Sequence, residues 1–240
     1  MIKNKKILCL IIARGGSKRI KNKNMSRLCG KPLIYWTLSE AKKSKYIDDI
    51  CVNSDSKKIL NYCKLNKIKT LIKRPTKLAS DKSDKWDTVK FTYKYLKSLG
   101  KNYDYILLLQ PTSPLRKVNH IDKCIENIKN DNIDGLISVC RTECPYEWIS
   151  KINKNKDFKN FKKGILKYKK DILKNRFAYS YRPNGAIIIF KSKLSLKKDF
   201  IFSKKFKIFE MDRKYSMDID NTIDLFLAEK LMKLKNLDKF

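Results

Sequence analysis

Residues 7–18 read ILCLIIARGGSK, an apolar run that leads directly into a loop of glycine and positive charge. Residues 7–13 are apolar without alternation, which is typical of a strand buried on both faces of a parallel sheet. Further along the chain, similar apolar runs alternate with stretches of helical period. This alternation is typical of right-handed βαβ units, and it predicts an α/β fold with a mostly parallel sheet.

The predicted helices and strands follow the first strand in regular order. They are a helix at 32–45, a strand at 49–53, a helix at 57–66, a strand at 69–73, a helix faced by Val89, Tyr93, Leu96 and Leu99, a strand at 105–109, a helix faced by Ile121, Cys124, Ile125 and Ile128, a strand at 136–140, a strand at 185–190, and a C-terminal helix faced by Ile223, Leu227, Leu231 and Leu234. Residues 141–181 are rich in lysine and aromatic residues and show no clear period. We therefore predict one domain over residues 1–240, in which residues 141–181 are either a flexible insertion or a subdomain that pairs with a second chain.

The chain carries a formal net charge of +33, which taken alone would indicate a nucleic-acid partner. Only nine of its 57 basic residues are arginine, and the 48 lysines are spread along the whole sequence beside many isoleucines and asparagines. Such a spread is typical of an amino-acid bias of the genome. We therefore predict no nucleic-acid partner, and a general positive field that attracts an anionic substrate.

Seven scattered cysteines without a Cys-x-x-Cys pair indicate ordinary thiols in a reducing compartment. Apolar runs in the sequence are much shorter than the ~20 residues that span a bilayer. We therefore expect a cytoplasmic protein with no membrane partner. The single histidine, His120, lies near the start of a predicted helix, where we expect a capping or surface role.

The loop after the first strand carries groups that suit a phosphate. Glycines let backbone N–H groups approach an anion, while a hydroxyl and several cations complete the site. The spacing fits neither the Walker loop nor the dinucleotide fingerprint, so a plain basic turn stays open beside the phosphate site. The position at the carboxyl end of the first strand favours the phosphate site. The residues concerned are Arg14, Gly15, Gly16, Ser17, Lys18, Lys21, Lys23 and Asn24.

A second polar loop follows the predicted strand at 105–109. Residues 110–116 read QPTSPLR, in which two prolines stiffen a segment with an amide, two hydroxyls and a guanidinium. This loop suits a hydroxyl-rich ligand, although an ordinary proline-rich turn has the same composition. Residues 182–185, RPNG, are predicted to form a turn before the next strand because Asn-Gly favours positive φ.

Asp218 and Asp220 are two residues apart, so in an extended segment both project to one face. Paired carboxylates suit a Mg²⁺ ion that takes its remaining ligands from water and substrate phosphates. Asp220 also precedes Asn221 and Thr222, and it could cap the last helix while binding the metal.

These four segments, in this order and spacing, resemble the acylneuraminate cytidylyltransferase family, which includes the CMP-sialic acid synthetases and their relatives for legionaminic and pseudaminic acid. The resemblance covers nearly the whole chain outside residues 141–181 and is most specific over residues 107–116. It implies a three-layer α/β/α nucleotide-diphospho-sugar transferase-like fold with a seven-stranded mixed sheet. It also implies a homodimer formed through a small protruding subdomain.

The resemblance further implies a role for each segment. It assigns nucleotide binding to Arg14, Gly15, Gly16, Ser17, Lys18, Lys23, Asn24 and Arg74. It assigns sugar-acid binding to Gln110, Thr112, Ser113, Arg182 and Asn184, and metal binding to Asp218 and Asp220. The implied reaction is attack by the anomeric hydroxyl of a nine-carbon 2-keto-3-deoxy sugar acid on the α-phosphorus of CTP, with Mg²⁺ bound and pyrophosphate released. The residues expected to carry catalysis, by neutralising charge or accepting the hydroxyl proton, are Arg14, Lys18, Lys23 and Asp218.

Other functions stay open at this point. A cytidylyltransferase for the eight-carbon octulosonic acid of lipopolysaccharide is similar, but that family places an aspartate where Gln110 stands here. A non-catalytic basic nucleic-acid-binding protein would leave the carboxylate pair and the hydroxyl-rich loop unexplained. A degenerate sugar binder is disfavoured because the charged residues of the site are all present.

Overall fold

The computed structural model describes residues 5–80, 83–128, 133–150, 159–173 and 179–234. Its strands are β1 (Ile7–Ile12), β2 (Arg27–Leu28), β3 (Lys31–Pro32), β4 (Asp49–Ser54), β5 (Thr70–Lys73), β6 (Tyr105–Leu109), β7 (Gly135–Arg141), β8 (Tyr181–Lys191) and β9 (Phe206–Glu210). Its α-helices are α1 (Leu33–Lys43), α2 (Lys57–Leu65), α3 (Lys85–Ser98), α4 (Val118–Asn127), α5 (Lys159–Leu173) and α6 (Thr222–Lys233).

Seven strands form one mixed sheet in the order β5-β4-β1-β6-β8-β7-β9. β1 pairs in parallel with β4 and β6, and β4 pairs in parallel with β5. β8 runs antiparallel to both of its neighbours, and β9 pairs in parallel with β7. The sheet is therefore mostly parallel and mixed, as predicted.

Both faces of the sheet are covered, which explains the continuous apolar run of β1. Ile7, Cys9 and Ile11 belong to one hydrophobic core, together with buried side chains of α1, α2 and α4. Leu8 and Leu10 belong to a second core on the other face, which α3 and the segment around residue 200 complete. Successive strand residues point to opposite faces, so a strand between two helical layers must be apolar at every position.

The segment at 182–185 is not a turn, contrary to the prediction. It lies inside β8, where the register against β7 shifts between Ile137 and Val139, so the extra residues form a bulge. Gly185 has a φ of +73°, and the Asn184 amide accepts a hydrogen bond from Ser138 Oγ over 2.5 Å. Positive φ serves a bulge as well as a turn, and the sequence pattern does not distinguish the two.

Residues 159–173 form a helix that the sequence pattern did not predict. α5 packs on a short 3₁₀ turn at Tyr146–Trp148, with the Trp148 and Tyr168 rings edge to face at 5.5 Å. A Cβ atom at Gly164 would lie 1.9 Å from the carbonyl oxygen of Glu147, so glycine lets the helix cross this backbone closely. Ile165, Tyr168 and Ile172 recur at helical spacing, so the sequence does carry a signal for this helix, which was overlooked among the many lysines. The division of the chain into one domain with an insertion stays a prediction.

α6 turns a different face to the protein from the one predicted. Ala228 is fully buried, and Leu225 and Met232 pack beside it against Leu28 and Leu33. In contrast, three of the four residues expected to face the core are exposed: Ile223, Leu227 and Leu234. The helix carries two apolar stripes, and the orientation of its first turn decides which stripe is buried. That orientation is fixed by the capping box of Asn221 and Asp224 and by the buried Ile219 before the helix.

Candidate active site

A cavity of about 300 Å³ opens at the carboxyl ends of β1 and β6. Three parts of the chain line it: the loop after β1, the loop after β6, and residues within 74–80 and 83–88. Ligands bind at this edge in open α/β sheets, since the strand ends and their loops converge there. The first two of these segments are the polar loops singled out in the sequence.

The loop after β1 is held in place by strand β4 and the residues that follow it. The Ala13 N–H donates to the Asn53 carbonyl over 3.1 Å, and the Gly15 N–H donates to Asp55 Oδ1 over 2.9 Å. A Cβ atom at Gly15 would lie 2.8 Å from Ser56 Cβ, closer than two such carbons can approach. Glycine is therefore required for the loop to pass at this distance.

Asn24 fixes the far side of the same loop. It is buried, lines the cavity, and donates from Nδ2 to the Arg14 carbonyl over 2.8 Å. Arg14, Ser17 and Lys23 line the cavity with it. The loop therefore brings two cations and a hydroxyl to one wall, as a phosphate-binding loop requires. Lys18 is exposed and lies outside the lining.

Lys23 joins this loop to the carboxylates near the end of the chain. Its Nζ donates to the Ile219 carbonyl over 2.6 Å and lies 3.2 Å from Asp220 Oδ1. Arg19 Nη1 lies 2.9 Å from the other oxygen of Asp220. Partial burial alone would raise the pKa of Asp220, but Lys23 and Arg19 hold that pKa below its usual value. Asp220 is therefore an anion in contact with the cationic loop.

Asp218 has a different environment from Asp220. Burial raises the pKa of Asp218 above its usual value, and the negative charge of Asp220 raises it further. A hydrogen bond from Thr112 and the charges of Lys23 and Arg182 lower this pKa but do not cancel the rise. The Asp218 Oδ1 atom is buried and has no hydrogen-bond partner among the described residues. A carboxylate with a raised pKa and an unpartnered oxygen can accept a proton or a metal ion.

The loop after β6 is held from beneath by Arg116. This side chain is fully buried and donates to the carbonyls of Gln110 and Ala186, over 3.2 and 2.9 Å, and to Thr37 Oγ1 over 2.7 Å. Burial lowers the pKa of Arg116 to about 10. The guanidinium therefore joins the loop to α1 and β8, and it fixes the backbone from which Gln110 enters the cavity lining.

The bulge in β8 lies against the same loop. A Cβ atom at Gly185 would lie 3.3 Å from Gln110 Oε1, so this glycine leaves room for the amide. Asn184 is buried, and its amide is fully engaged, with Nδ2 donating to Ser216 Oγ over 2.8 Å. Ser113 is also buried, and its hydroxyl has no partner within the described part of the chain. Neither residue lines the cavity, and their assignment to the sugar acid stays a prediction.

Arg74 forms the wall on the side of β4. It is buried and donates from Nε to Asn53 Oδ1 and from Nη2 to the Asn53 carbonyl, each over 2.9 Å. Burial lowers the pKa of Arg74, and Arg14 adds to this effect while Asp55 opposes it. Arg74 therefore presents a fixed positive group at the cavity.

The structure brings most of the predicted site residues together. Those that line the cavity are Arg14, Ser17, Lys23, Asn24, Arg74, Gln110 and Thr112. Asp218 and Asp220 join them through contacts with Thr112 and Lys23, and Gly15 belongs to the backbone of the same loop. Gly16 and Arg182 are exposed, and the positive charge of Arg182 lowers the pKa of Asp218.

Sequence reasoning missed the first turn of α3. Ser83, Asp84, Lys85 and Thr88 all line the cavity. Asp84 is the N-cap of the helix and accepts a hydrogen bond from the Trp86 N–H over 3.0 Å. The capping pattern was available in the sequence, but nothing marks Lys85 among 48 lysines. Apart from this turn, His120 has the capping role expected, since its Nδ1 accepts from the Lys117 N–H over 3.2 Å.

A family model described as Cytidylyltransferase matches residues 8–239. The chain is 34% identical over 230 residues to a CMP-N,N'-diacetyllegionaminic acid synthase of Legionella pneumophila, a match that covers 95% of this chain and 97% of that one. It is 30% identical over 235 residues to a pseudaminic acid cytidylyltransferase of Campylobacter jejuni, covering 98% of this chain and 100% of that one. An N-acylneuraminate cytidylyltransferase of Escherichia coli O18:K1:H7 is also 30% identical over 98% of this chain, which spans 54% of that longer relative.

Among solved structures, a CMP:2-keto-3-deoxy-manno-octonic acid synthetase complexed with CTP superposes with a TM-score of 0.69 at 14% identity, covering 95% of this chain and 98% of that one. A 4-diphosphocytidyl-2C-methyl-D-erythritol synthase superposes equally well, with a TM-score of 0.69 at 12% identity and coverage of 96% and 99%. At such low identity these similarities establish the shared fold and no more. None of the helices within the described ranges combines the length and the apolar character that a membrane span requires.

Proposed function

Because the chain belongs to the cytidylyltransferase family, we propose that it transfers CMP from CTP to the anomeric hydroxyl of a nine-carbon 2-keto-3-deoxy sugar acid. The acids concerned are those named for its relatives, of the sialic, legionaminic or pseudaminic kind. One contact supports this function above all others: Lys23 lines the cavity with Arg14 and also pairs with Asp220. Cations for a triphosphate and a carboxylate pair are thereby held at one cavity.

In the proposed reaction, the anomeric oxygen forms a bond to the α-phosphorus of CTP. The bond from that phosphorus to the oxygen bridging to the β-phosphate breaks, and pyrophosphate leaves with the bonding electron pair. Negative charge accumulates on the phosphate oxygens and on the leaving group. Arg14 and Lys23 lie in the cavity wall and would offset this charge, with Lys18 approaching from the exposed side of the same loop.

The proton of the attacking hydroxyl requires an acceptor, and we assign this role to Asp218. Its raised pKa makes it a stronger base than an ordinary aspartate. The hydrogen bond from Thr112, a cavity residue, holds the carboxylate at the edge of the site. Gln110 and Thr112 would contact the hydroxyls of the sugar from the same loop.

Asp218 and Asp220 fit a Mg²⁺ ion with few protein ligands. Asp218 Oδ1 is buried without a partner, and Asp220 is held as an anion beside it. Among the described residues, no group of three or more His, Cys, Asp or Glu side chains could hold a metal, so the other ligands would be water and phosphate oxygens. A bound Mg²⁺ would neutralise phosphate charge. The Asp220 carboxylate would then contact the Mg²⁺ ion as well as Lys23 and Arg19.

We also propose that the protein forms a homodimer through the insertion, in the cytoplasm. The insertion presents exposed apolar side chains on α5 and its supporting turn, namely Tyr146, Trp148, Ile149, Ile165, Leu166 and Ile172. Apolar groups clustered in this way favour burial against a second copy. The seven cysteines are all free, which suits a reducing compartment. Sedimentation equilibrium of the wild type and of a Trp148→Lys, Leu166→Lys variant tests the dimer, since the variant should sediment as a monomer.

The function is tested by measuring pyrophosphate release and CMP-sugar formation from CTP. Neuraminic, legionaminic, pseudaminic and octulosonic acids are supplied in turn, each with Mg²⁺ and with EDTA. We expect turnover with at least one nine-carbon acid and at least a hundredfold loss in EDTA. Preference for the octulosonic acid would support the eight-carbon alternative, whose solved relative shares this fold. Absence of product with all four acids, in protein that binds CTP, would refute the proposed function.

A further inference from the structure

Asn53 is a fully buried residue of β4 that supports the cavity without lining it. Its main-chain carbonyl accepts from the Ala13 N–H over 3.1 Å and from Arg74 Nη2 over 2.9 Å. Its side-chain Oδ1 accepts from Arg74 Nε over 2.9 Å. One residue therefore joins the start of the loop after β1 to the arginine in the cavity wall.

The other end of the Asn53 amide is held by Thr92, a fully buried residue of α3. Asn53 Nδ2 donates to Thr92 Oγ1 over 2.9 Å, and this hydroxyl donates to the Thr88 carbonyl over 2.8 Å. Because the single hydroxyl proton is used on Thr88, the Thr92 oxygen can only accept from Asn53. The amide oxygen must then face Arg74, so the direction of every hydrogen bond in this series is determined.

This series of hydrogen bonds fixes the orientation of the Arg74 guanidinium. Two of its nitrogens, Nε and Nη2, both donate to Asn53, and two hydrogen bonds to one residue keep a planar group from rotating. The remaining nitrogen, Nη1, has no hydrogen-bond partner among the described residues, and it is not one of their buried polar atoms without a partner. Since Arg74 lines the cavity, this nitrogen is accessible to a ligand there.

We propose that Asn53 and Thr92 are positioning residues for the nucleotide, which hold Arg74 so that Nη1 donates to bound CTP. This role rests on the proposed function, in which Arg74 belongs to the nucleotide site. Neither Asn53 nor Thr92 lines the cavity, so both act through Arg74. An arginine that is already held in its binding orientation loses less side-chain entropy when the ligand binds, and the nucleotide is therefore bound more tightly.

The test removes the Thr92 hydroxyl and measures CTP binding by isothermal titration calorimetry, with no sugar acid present. Thr92→Val keeps nearly the same shape but leaves Asn53 Nδ2 without its acceptor. We expect the Kd of CTP to rise about 3- to 10-fold, the effect of losing one neutral hydrogen bond. Thr92→Ser keeps the hydroxyl and should bind CTP as wild type does. If Thr92→Val does not fold, Thr92→Ala replaces it, because alanine favours the helix.

Thr70→Val is the matched control, because Thr70 is also a buried threonine with a hydrogen-bonded hydroxyl. It begins β5 outside the cavity lining, and its Oγ1 donates to Asp49 Oδ2 over 2.6 Å. We expect Thr70→Val and Thr92→Val both to lower the melting temperature, but only Thr92→Val to change the Kd of CTP by more than twofold. An equal rise in Kd in the two variants would show a general loss of stability and would overturn the proposal.

A double-mutant cycle tests whether Thr92 acts through Arg74. The single ammonium of Arg74→Lys cannot reproduce the two hydrogen bonds to Asn53. In this background, removal of the Thr92 hydroxyl should change the Kd of CTP less than twofold. Persistence of the full effect would show that Thr92 reaches the nucleotide by another route, and the assignment would be wrong.

The two proposals fail in different ways. If wild type turns over an acid but the variants without the Thr92 hydroxyl bind CTP as tightly as wild type, the role of Asn53 and Thr92 is wrong and the proposed function stands. If wild type binds CTP but turns over none of the acids, the proposed function fails, and the calorimetry still decides the role of Asn53 and Thr92. Wild type that does not bind CTP would refute both.

Discussion

Lys23 Nζ lies 3.2 Å from Asp220 Oδ1, although the two residues are 197 positions apart in the sequence. The same ammonium donates to the Ile219 carbonyl over 2.6 Å, and the Ile219 N–H donates to the Thr112 carbonyl over 2.8 Å. A single chain of contacts therefore runs from the loop after β1, through the carboxylate segment, to the loop after β6. This chain of contacts joins these three segments, while Arg74 in the remaining wall is held by Asn53.

Lys23→Met should impair both nucleotide binding and catalysis. It removes a cation from the cavity wall and leaves the Ile219 carbonyl without its donor. We expect a fall in kcat of about 100-fold, and a rise of about tenfold in the KM of CTP. Steady-state kinetics check this, with Lys64→Met, on the exposed face of α2, as a control of unchanged rate. A variant with wild-type kcat would show that Lys23 only ties the loop to the C-terminal segment.

Asp218→Asn should change the pH dependence of the reaction. Burial and the charge of Asp220 raise the pKa of Asp218 in the metal-free protein, and wild-type kcat/KM should fall on the acid side as this carboxylate takes up a proton. The variant should lose about 10²- to 10⁴-fold in rate and should no longer show that acid limb. Asp199→Asn, at an exposed site outside the cavity, should keep the wild-type profile. An acid limb retained in Asp218→Asn would contradict the role of proton acceptor.

Arg116→Lys should destabilise the protein despite keeping the charge. Lysine cannot reproduce the fork that reaches the Gln110 and Ala186 carbonyls and Thr37 at once. We expect the free energy of unfolding to fall by about 2–3 kcal/mol, measured by urea denaturation. Arg27→Lys, at the exposed position of strand β2, should change it by less than about 0.5 kcal/mol. Equal stability of the two variants would mean that the buried guanidinium does not hold the loop.

Gly15→Ala and Gly16→Ala should differ in stability, although the residues are adjacent. A Cβ atom at Gly15 would lie 2.8 Å from Ser56 Cβ, whereas one at Gly16 would have nothing within 4 Å. We expect Gly15→Ala to lower the free energy of unfolding by about 1–3 kcal/mol, and Gly16→Ala to leave it nearly unchanged. Thermal unfolding of both variants decides the matter. Similar melting temperatures would indicate that the loop accommodates the added Cβ atom without loss of stability.

His120 should make the protein less stable in acid. Burial, with Lys123 and Arg116 nearby, lowers the pKa of His120 to about 4, whereas an unfolded histidine takes up its proton near pH 6.5. Below about pH 6.5 the unfolded chain therefore binds the proton first, and stability is lost as the pH falls from about 6.5 to about 4. His120→Gln keeps an acceptor for the Lys117 N–H and does not titrate in this range.

The measurement is the urea midpoint of wild type and His120→Gln at pH 7 and pH 4.5. We expect the wild type to lose more stability than the variant between these two values. Parallel losses would show that other groups account for the acid sensitivity.

The sequence alone determined the fold class and the positions of the main strands. Residues 7–13 were predicted as a buried strand and form β1 at Ile7–Ile12, while residues 105–109 match β6. These strands lie between two helical layers, so every side chain except the partly buried Ile12 is buried, and the apolar run is unbroken. A pattern of this kind is local, and it can be read without knowing what the strand pairs with.

Sequence patterns that are compatible with two different local structures did not predict which of the two forms. Asn184-Gly185 supplies the positive φ of a bulge and of a turn alike, and the partner strand β7 decides between them. α6 carries two apolar stripes, and its capping box with Ile219 decides which one is buried. α5 is a different case, because Ile165, Tyr168 and Ile172 recur at helical spacing, and only its placement, with Gly164 passing closely over Glu147, required the tertiary structure.

The sequence determines which chemical groups the site contains, and the tertiary structure determines which of these groups contact each other. Arg14, Lys23 and Asp220 were singled out by residue type and position along the chain, but only the folded chain brings Lys23 Nζ within 3.2 Å of Asp220 Oδ1. Lys85 shows the reverse case, since the sequence does not distinguish it from the other lysines and only the tertiary structure places it in the cavity wall. Charge and hydrogen bonding act over a few ångströms in space, and a linear sequence does not record those distances.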